Sequence, residues 1–269
     1  MYSILQWCGR FGNNVQQISN AIFYCRENGL NFTSPDNELV NPISVNFGNN
    51  NCHSALYFFH LPSKLGHGLP DFELKSLENL FKQRREICQN YILPQLKINF
   101  DNVVDLGEDV VVMHIRSGDI FSRRDYYCPV VSNYLQNPLS YYEKIIDDYD
   151  RVIVLTEDYN NPVIGELEKN PKVEIKIMGI IETIEVMLSA RNIVTSGVSS
   201  FAIACALLSK NIKRVYCSNL FVEEILNQRD LIDTDIDVRL INIDIDRYIG
   251  WNNWLNSDEQ RKLMISYVL

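Results

Sequence analysis

Three short stretches of this chain carry side chains able to hold an anion and to move a proton. The first is His114-Ile115-Arg116-Ser117-Gly118-Asp119, which closes the apolar, β-branched run Val110 to His114. Such a run, bounded by turn signals, predicts a central parallel strand. Open α/β sheets bind ligands at the carboxyl ends of their strands. Arg116 would there present a planar fork to two phosphate oxygens, with a charge it cannot lose. Asp119 could serve as general base toward a hydroxyl. The same residue types also allow Arg116 and Asp119 to pair across a loop, or Asp119 to cap a helix.

The second stretch is Cys8-Gly9-Arg10-Phe11-Gly12-Asn13-Asn14. A strand over Tyr2 to Trp7 leads into it, and Val15, Ile18, Ala21, Ile22 and Cys25 follow at helical spacing up to Asn28-Gly29. Gly9 and Gly12 let backbone approach a ligand, and the helix start adds unpaired N–H groups. The GxGxxG dinucleotide fingerprint is absent, so no NAD site is read here. The third stretch is Ser196-Gly197-Val198-Ser199-Ser200-Phe201, after a strand over Asn192 to Thr195. Its hydroxyls and amides suit a phosphate, although Ser199 taken by itself reads first as an ordinary N-cap. A parallel case is Thr156-Glu157-Asp158, after the strand Val152 to Leu155, where Asp158 would line the same edge or cap the next helix.

The elements that must position these residues alternate regularly: helix 139–147, strand 151–155, helix 161–169, strand 173–178, helix 181–190, strand 192–195, helix 199–209, strand 212–217. That alternation predicts a parallel sheet wrapped by helices. A last strand near 238–243 and an amphipathic helix from Ser257, with Leu263, Met264 and Tyr267 facing in, complete the chain. Upstream, 33–70 reads as loops and short strands around runs such as Ala55 to Leu61, and 72–100 as a helix that Pro94 ends or kinks. The polar loop 122–138, with Arg123, Arg124, Asp125, Tyr126 and Tyr127, is long enough to be functional or mobile.

At 269 residues and 46% hydrophobic content the chain can bury a sizeable core. A net charge of −9 argues against a nucleic-acid partner, so a bound phosphate must be held locally. No apolar run reaches membrane-span length and the start lacks signal-peptide character, which leads to the expectation of a cytoplasmic protein. Seven cysteines without a CxxC or Cys/His cluster indicate reduced thiols and no zinc site.

Gly9-Arg10-Phe11-Gly12-Asn13, His114-Ile115-Arg116-Ser117-Gly118-Asp119, and Met187-Leu188-Ser189-Ala190-Arg191-Asn192 followed by Ser199-Ser200-Phe201 resemble, in order, the motifs of the GDP-fucose-dependent fucosyltransferases, which include α1,2-fucosyltransferases and protein O-fucosyltransferases. The resemblance implies a GT-B-like α/β fold of two Rossmann-type domains with parallel sheets. It divides the chain into an acceptor-side domain, 1–104, a nucleotide-sugar domain, 105–256, and a C-terminal helix, 257–269, that packs back on the N-terminal domain. It implies an inverting transfer of a sugar, L-fucose first, to a glycan hydroxyl. Arg116, Asp119 and Asn13 would be catalytic. Gly9, Arg10, Gly12, His114, Arg116, Asp158, Ser196, Ser199, Ser200 and Phe201 would hold the donor, His114 supporting the Arg116 backbone with its ring. The nucleotide sugar is a substrate, and neither cofactor nor metal is implied. The chain departs from the family at Ser117, where many relatives carry a second arginine, and at Ser196 to Phe201, where they carry Asn-Ser-Thr-Phe. A different nucleotide sugar, or a glycan-binding scaffold without turnover, are the other readings.

A competing pattern lies near the C-terminus. Asp233, Asp235 and Asp237, and Asp244 with Asp246, have the DxD spacing with which another glycosyltransferase fold holds a divalent metal. Alternating carboxylates on a strand would point one way. Exposed, solvated faces are the simpler reading.

Overall fold

The computed structural model describes residues 2–4, 6–48, 74–122, 134–221, 225–248 and 254–269. Ala55 to Leu61 and the Arg123 to Tyr127 segment lie outside them.

The N-terminal region holds β1 (Tyr2–Ser3), helix α1 (Phe11–Glu27), β2 (Phe32–Ser34), β3 (Ile43–Val45) and helix α2 (Leu74–Ile87). β1 pairs parallel with β2, and β2 antiparallel with β3. β1 is shorter than the expected strand 2–7. Ile4 still donates to the Thr33 carbonyl at 3.3 Å, but from Gln6 the backbone bonds to a side chain: Gln17 donates to the Gln6 carbonyl at 2.8 Å and accepts from the Cys8 amide at 3.2 Å. α2 runs on through a wide turn, Cys88–Ile92, into a tight one at Leu93–Gln95, and Pro94 ends it there.

The remainder alternates as expected, to within two residues: β4 (Val110–Ile115), α3 (Leu139–Ile146), β5 (Arg151–Thr156), α4 (Pro162–Leu167), β6 (Val173–Ile177), α5 (Ile180–Ser189), β7 (Asn192–Val194), α6 (Phe201–Leu208), β8 (Arg214–Ser218) and β9 (Asp237–Ile241). Two helices, α7 (Ile245–Tyr248) and α8 (Asp258–Ser266), follow. The six strands form one parallel sheet in the order β6-β5-β4-β7-β8-β9. Counted from β4 this is 3-2-1-4-5-6, a Rossmann-like order. It reverses direction between β4 and β7, where the crossovers go to opposite faces and leave a crevice at the strands' carboxyl ends.

Side chains alternate across β4. Val111, Met113 and Ile115 face the layer of α3, α4 and α8, whereas Val112 faces α1, α2, α5 and α6. All eight residues of α6 are buried, because it lies between the sheet and α1. The core on that face runs without interruption from Ile4, Val15 and Ile22 to Ile193, Ala204 and Ile236.

Two expectations are corrected. Among the described residues there is one parallel sheet; the N-terminal region has a small mixed one. The C-terminal helix does not pack back on the N-terminal region but on α3 and α4. Its buried Met264 and Tyr267 join Tyr248 and Trp254 in covering that face of the large sheet, which two short helices leave incompletely filled. Ser257 and Gln260 form a capping box at its start.

The N-terminal helices are also tied down by charge. Arg84 of α2 is fully buried, pairs with buried Asp230, and donates to Asn20 of α1 at 2.6 Å. Removing one partner of such a pair leaves a bare buried charge. Arg84→Met is expected to lower stability by about 3–5 kcal/mol. Arg84→Met with Asp230→Leu should recover most of that loss, both read by urea denaturation.

Candidate functional site

Arg116 leaves the end of β4 with its side chain 15% exposed. Its Nη2 donates to Asp119 Oδ1 at 2.7 Å, and its guanidinium lies 5.7 Å from the centre of the Tyr134 ring. Asp119 is shared. Its Oδ2 lies 3.1 Å from Arg10 Nη2, and its Oδ1 also accepts from the Ile120 amide at 3.0 Å. Arg10 reaches on to Glu157 at 2.5 Å. Glu157, Arg10, Asp119 and Arg116 thus form a chain of alternating charge across the carboxyl ends of β5 and β4. The pairing of Arg116 with Asp119, left open by the sequence, is present, and it includes Arg10.

Gly118 makes room for this chain. It has φ of +61°, and a Cβ placed there would run into the Glu157 carboxylate. Side-chain-free backbone is thus needed both for the turn and for Glu157 to reach Arg10.

The Arg10 loop is brought in by α1. Asn13 accepts a hydrogen bond from Ser200 Oγ at 3.1 Å, and a Cβ on Gly12 would stand 2.8 Å from the Ser200 carbonyl carbon. Phe11 packs on Phe201, with ring centres 5.8 Å apart, and Phe201 packs on His114 at 4.5 Å. Gly9, Arg10, Gly12, Asn13, His114, Arg116, Asp119, Ser200 and Phe201 therefore share one edge of the sheet at its reversal point.

The other expected residues are placed as follows. Ser199 is not the N-cap of α6; Ser200 is, without a side-chain capping bond, and Ser199 Oγ accepts from the Phe201 amide at 3.4 Å. Ser196 is buried at the end of β7, and its hydroxyl has no hydrogen-bond partner. Asp158 does not cap α4; Asn161 does, accepting from Val163 at 3.1 Å, and it precedes a proline at the first helical position. Asp158 instead accepts from Ser117 Oγ and from the amides of Gly118 at 3.4 Å and Asn160 at 2.8 Å. Burial raises its pKa, but these hydrogen bonds outweigh burial and hold the carboxyl below its ordinary value.

The Arg116 carbonyl accepts from Asn161 Nδ2 at 2.9 Å, and His114 Nδ1 has no hydrogen-bond partner. Asn161 and Glu157 are the residues sequence reasoning passed over. Asn161 had a signal, as the Asn-Pro pair of a helix start, whereas the Glu157 contact had none, because its partner is 147 residues away. The C-terminal segment braces the same loops. Trp254 Nε1 donates to Ile120 O and Asn256 Nδ2 to Phe121 O, both at 3.0 Å, and Arg261 donates to Asn160 O at 2.8 Å.

The aspartate pattern is dispersed. Asp233 sits in a turn at φ +65°, Asp235 pairs with Arg85 at 3.2 Å, and Asp237, the only one of the three on a strand, is 2.9 Å from both Arg214 and Arg239. Among the described residues no three His, Cys, Asp or Glu side chains are grouped to hold a metal ion. Cys88 and Cys217 are buried free thiols, and burial pushes each up to about 12, away from nucleophilic use. No helix among the described residues is long and apolar enough to cross a membrane.

No family model, curated protein or solved structure matches the chain.

Burial first, and the Arg116 charge second, lower His114 from 6.5 to about 3. The folded chain keeps this ring neutral while the unfolded chain protonates it below its ordinary value. Stability must therefore fall as pH drops from about 6.5 toward 3, by up to about 1.4 kcal/mol per pH unit. Between pH 7 and pH 5, urea denaturation should show wild type losing about 2 kcal/mol more than His114→Gln. Equal losses would mean that His114 is charged in the fold.

Proposed function

We propose that this chain is an inverting glycosyltransferase that moves a sugar, most simply L-fucose from GDP-fucose, to a hydroxyl of a glycan acceptor. The observation that carries the reading is the meeting of Arg10, Asn13, Arg116, Asp119 and Ser200 at the reversal point of a Rossmann-like sheet. These residues come from three sequence blocks that resemble, in the same order, motifs of the fucosyltransferases. The unpartnered buried Nε of Arg116 and hydroxyl of Ser196 add donors for an anion.

In this reading the acceptor oxygen forms a bond to the anomeric carbon as the bond to the β-phosphate oxygen breaks. The leaving nucleoside diphosphate takes the electron pair. Arg116 and Arg10 stabilise the charge that develops on it, which is the work a divalent metal does in other transferases. The diphosphate displaces Asp119 from one of its two arginines and frees a carboxylate oxygen to accept the acceptor's proton. Asn13, held by Ser200, orients donor or acceptor. In this reading the loop before α1 stands on the acceptor side, and Ser199 and neighbouring amides support the pyrophosphate.

One observation favours a second donor. Ser117, where many fucosyltransferases carry an additional arginine, is fully buried and bonded to Asp158 and to the Asn161 amide at 3.0 Å. With one cation fewer, the site also suits another GDP- or UDP-linked sugar.

Calorimetric titration with GDP and with UDP, in EDTA, tests the reading. GDP is expected to bind, and Arg116→Ala to weaken it by at least about tenfold, the cost of one charged hydrogen-bonded contact. Preference for UDP would keep the site and change the donor. Unchanged affinity in Arg116→Ala would remove the phosphate from this position, and binding only with added Mn²⁺ would overturn the role given to the arginines.

A further inference from the structure

The large sheet ends on β6 and β9, and no described strand pairs with the outer edge of either. None of the five residues of β6 is buried, in contrast to its neighbour β5, where all but Arg151 are. Ile177 is 53% exposed, and Ile180 and Ile181, which open α5, are exposed beside it. A bare strand edge offers a row of N–H and C=O groups to any strand whose side chains suit it.

We propose that the occupant of this edge is the β6 strand of a second copy of the chain, antiparallel, with Ile175 facing the Ile175 of the second copy. The argument is side-chain complementarity. β6 reads Val173-Glu174-Ile175-Lys176-Ile177, so Val173, Ile175 and Ile177 share one face and Glu174 and Lys176 the other. Centred on Ile175, Val173 meets Ile177, Ile175 meets itself, and Glu174 meets Lys176. Every cross-strand pair is then either apolar or of opposite charge. A two-fold axis through the central residue makes the contact self-complementary and closed.

The charges are available for this exchange. Glu174 and Lys176 already lie 3.1 Å apart along the strand, so pairing between copies exchanges partners without leaving a charge alone. Arg151 of β5, 2.6 Å from Glu174, holds that carboxylate at the edge. The opposite edge lacks this property. β9 reads Asp237-Val238-Arg239-Leu240-Ile241, and the same centred pairing sets Arg239 against Arg239 and Asp237 against Ile241. The β9 edge thus repels its copy where the β6 edge accepts it, and joining two β6 edges extends the sheet across both molecules.

Sedimentation equilibrium of the full chain tests this. Wild type is expected at twice the chain mass. Glu174→Lys and Lys176→Glu each set like charges opposite one another at two places per dimer, and each should weaken association by at least about tenfold. An equimolar mixture of the two variants restores opposite charges at both places, and should regain the doubled mass; so should the double variant Glu174→Lys with Lys176→Glu. Circular dichroism checks that the exposed substitutions leave the fold intact. A wild-type chain that stays single at every concentration would overturn the proposal and make Glu174 and Lys176 guards of a bare edge. A dimer that both reversals leave unchanged would place the contact elsewhere.

Discussion

The structure depends on the burial of α6. Its sequence, Phe-Ala-Ile-Ala-Cys-Ala-Leu-Leu, is apolar on every side, and a helix of that kind cannot end one face of a sheet in water. It needs a second cover, and α1 supplies it, with the small residues Ala202, Ala204 and Ala206 adding little bulk to the helix. Burying side chains such as Ile203, Leu207 and Leu208 contributes roughly 1.5–3 kcal/mol each. Because α1 is held there, its first turn lies beside the first turn of α6. That packing brings Arg10 and Asn13 to a sheet edge whose nearest site residues are about a hundred positions further along the chain.

Electrostatics shapes the site once packing has assembled it. Two arginines beside one another would repel, and Asp119 and Glu157 alternate with them so that the group of four is neutral. Half-exposed pairs of this kind contribute little to stability, since water screens them. Their consequence is positional: the carboxylates fix where each guanidinium points. His114 fits the same logic, because a buried neutral ring adds no further charge behind Arg116.

The C-terminal segment shows how a local pattern can be right while its destination is not. The capping box at Ser257 and the inward face of Met264 and Tyr267 were legible. Which surface that face would meet was not, since any uncovered apolar layer satisfies the pattern. The layer of α3 and α4 was the one left open, and by filling it the tail also came to hold the carbonyls of Ile120, Phe121 and Asn160 behind the site.

Sequence by itself determined the strands and helices of the parallel sheet, because β-branched runs and apolar periodicity report which faces must leave water, whatever lies opposite. It also placed Arg116, Asp158 and Ser196 at or just beyond strand ends, since there the polarity changes within a residue or two. It could not tell that Asp233 and Asp235 leave the strand that Asp237 begins, or that Asn161 and not Asp158 caps α4. Those outcomes turn on backbone angles and on neighbours distant in sequence. Only the tertiary structure decided that Glu157 reaches Arg10, that Asp119 is shared by two arginines, and that the N-terminal region lies on α6. Contacts between residues a hundred or more positions apart leave no periodic trace in one chain; they follow from how the layers close.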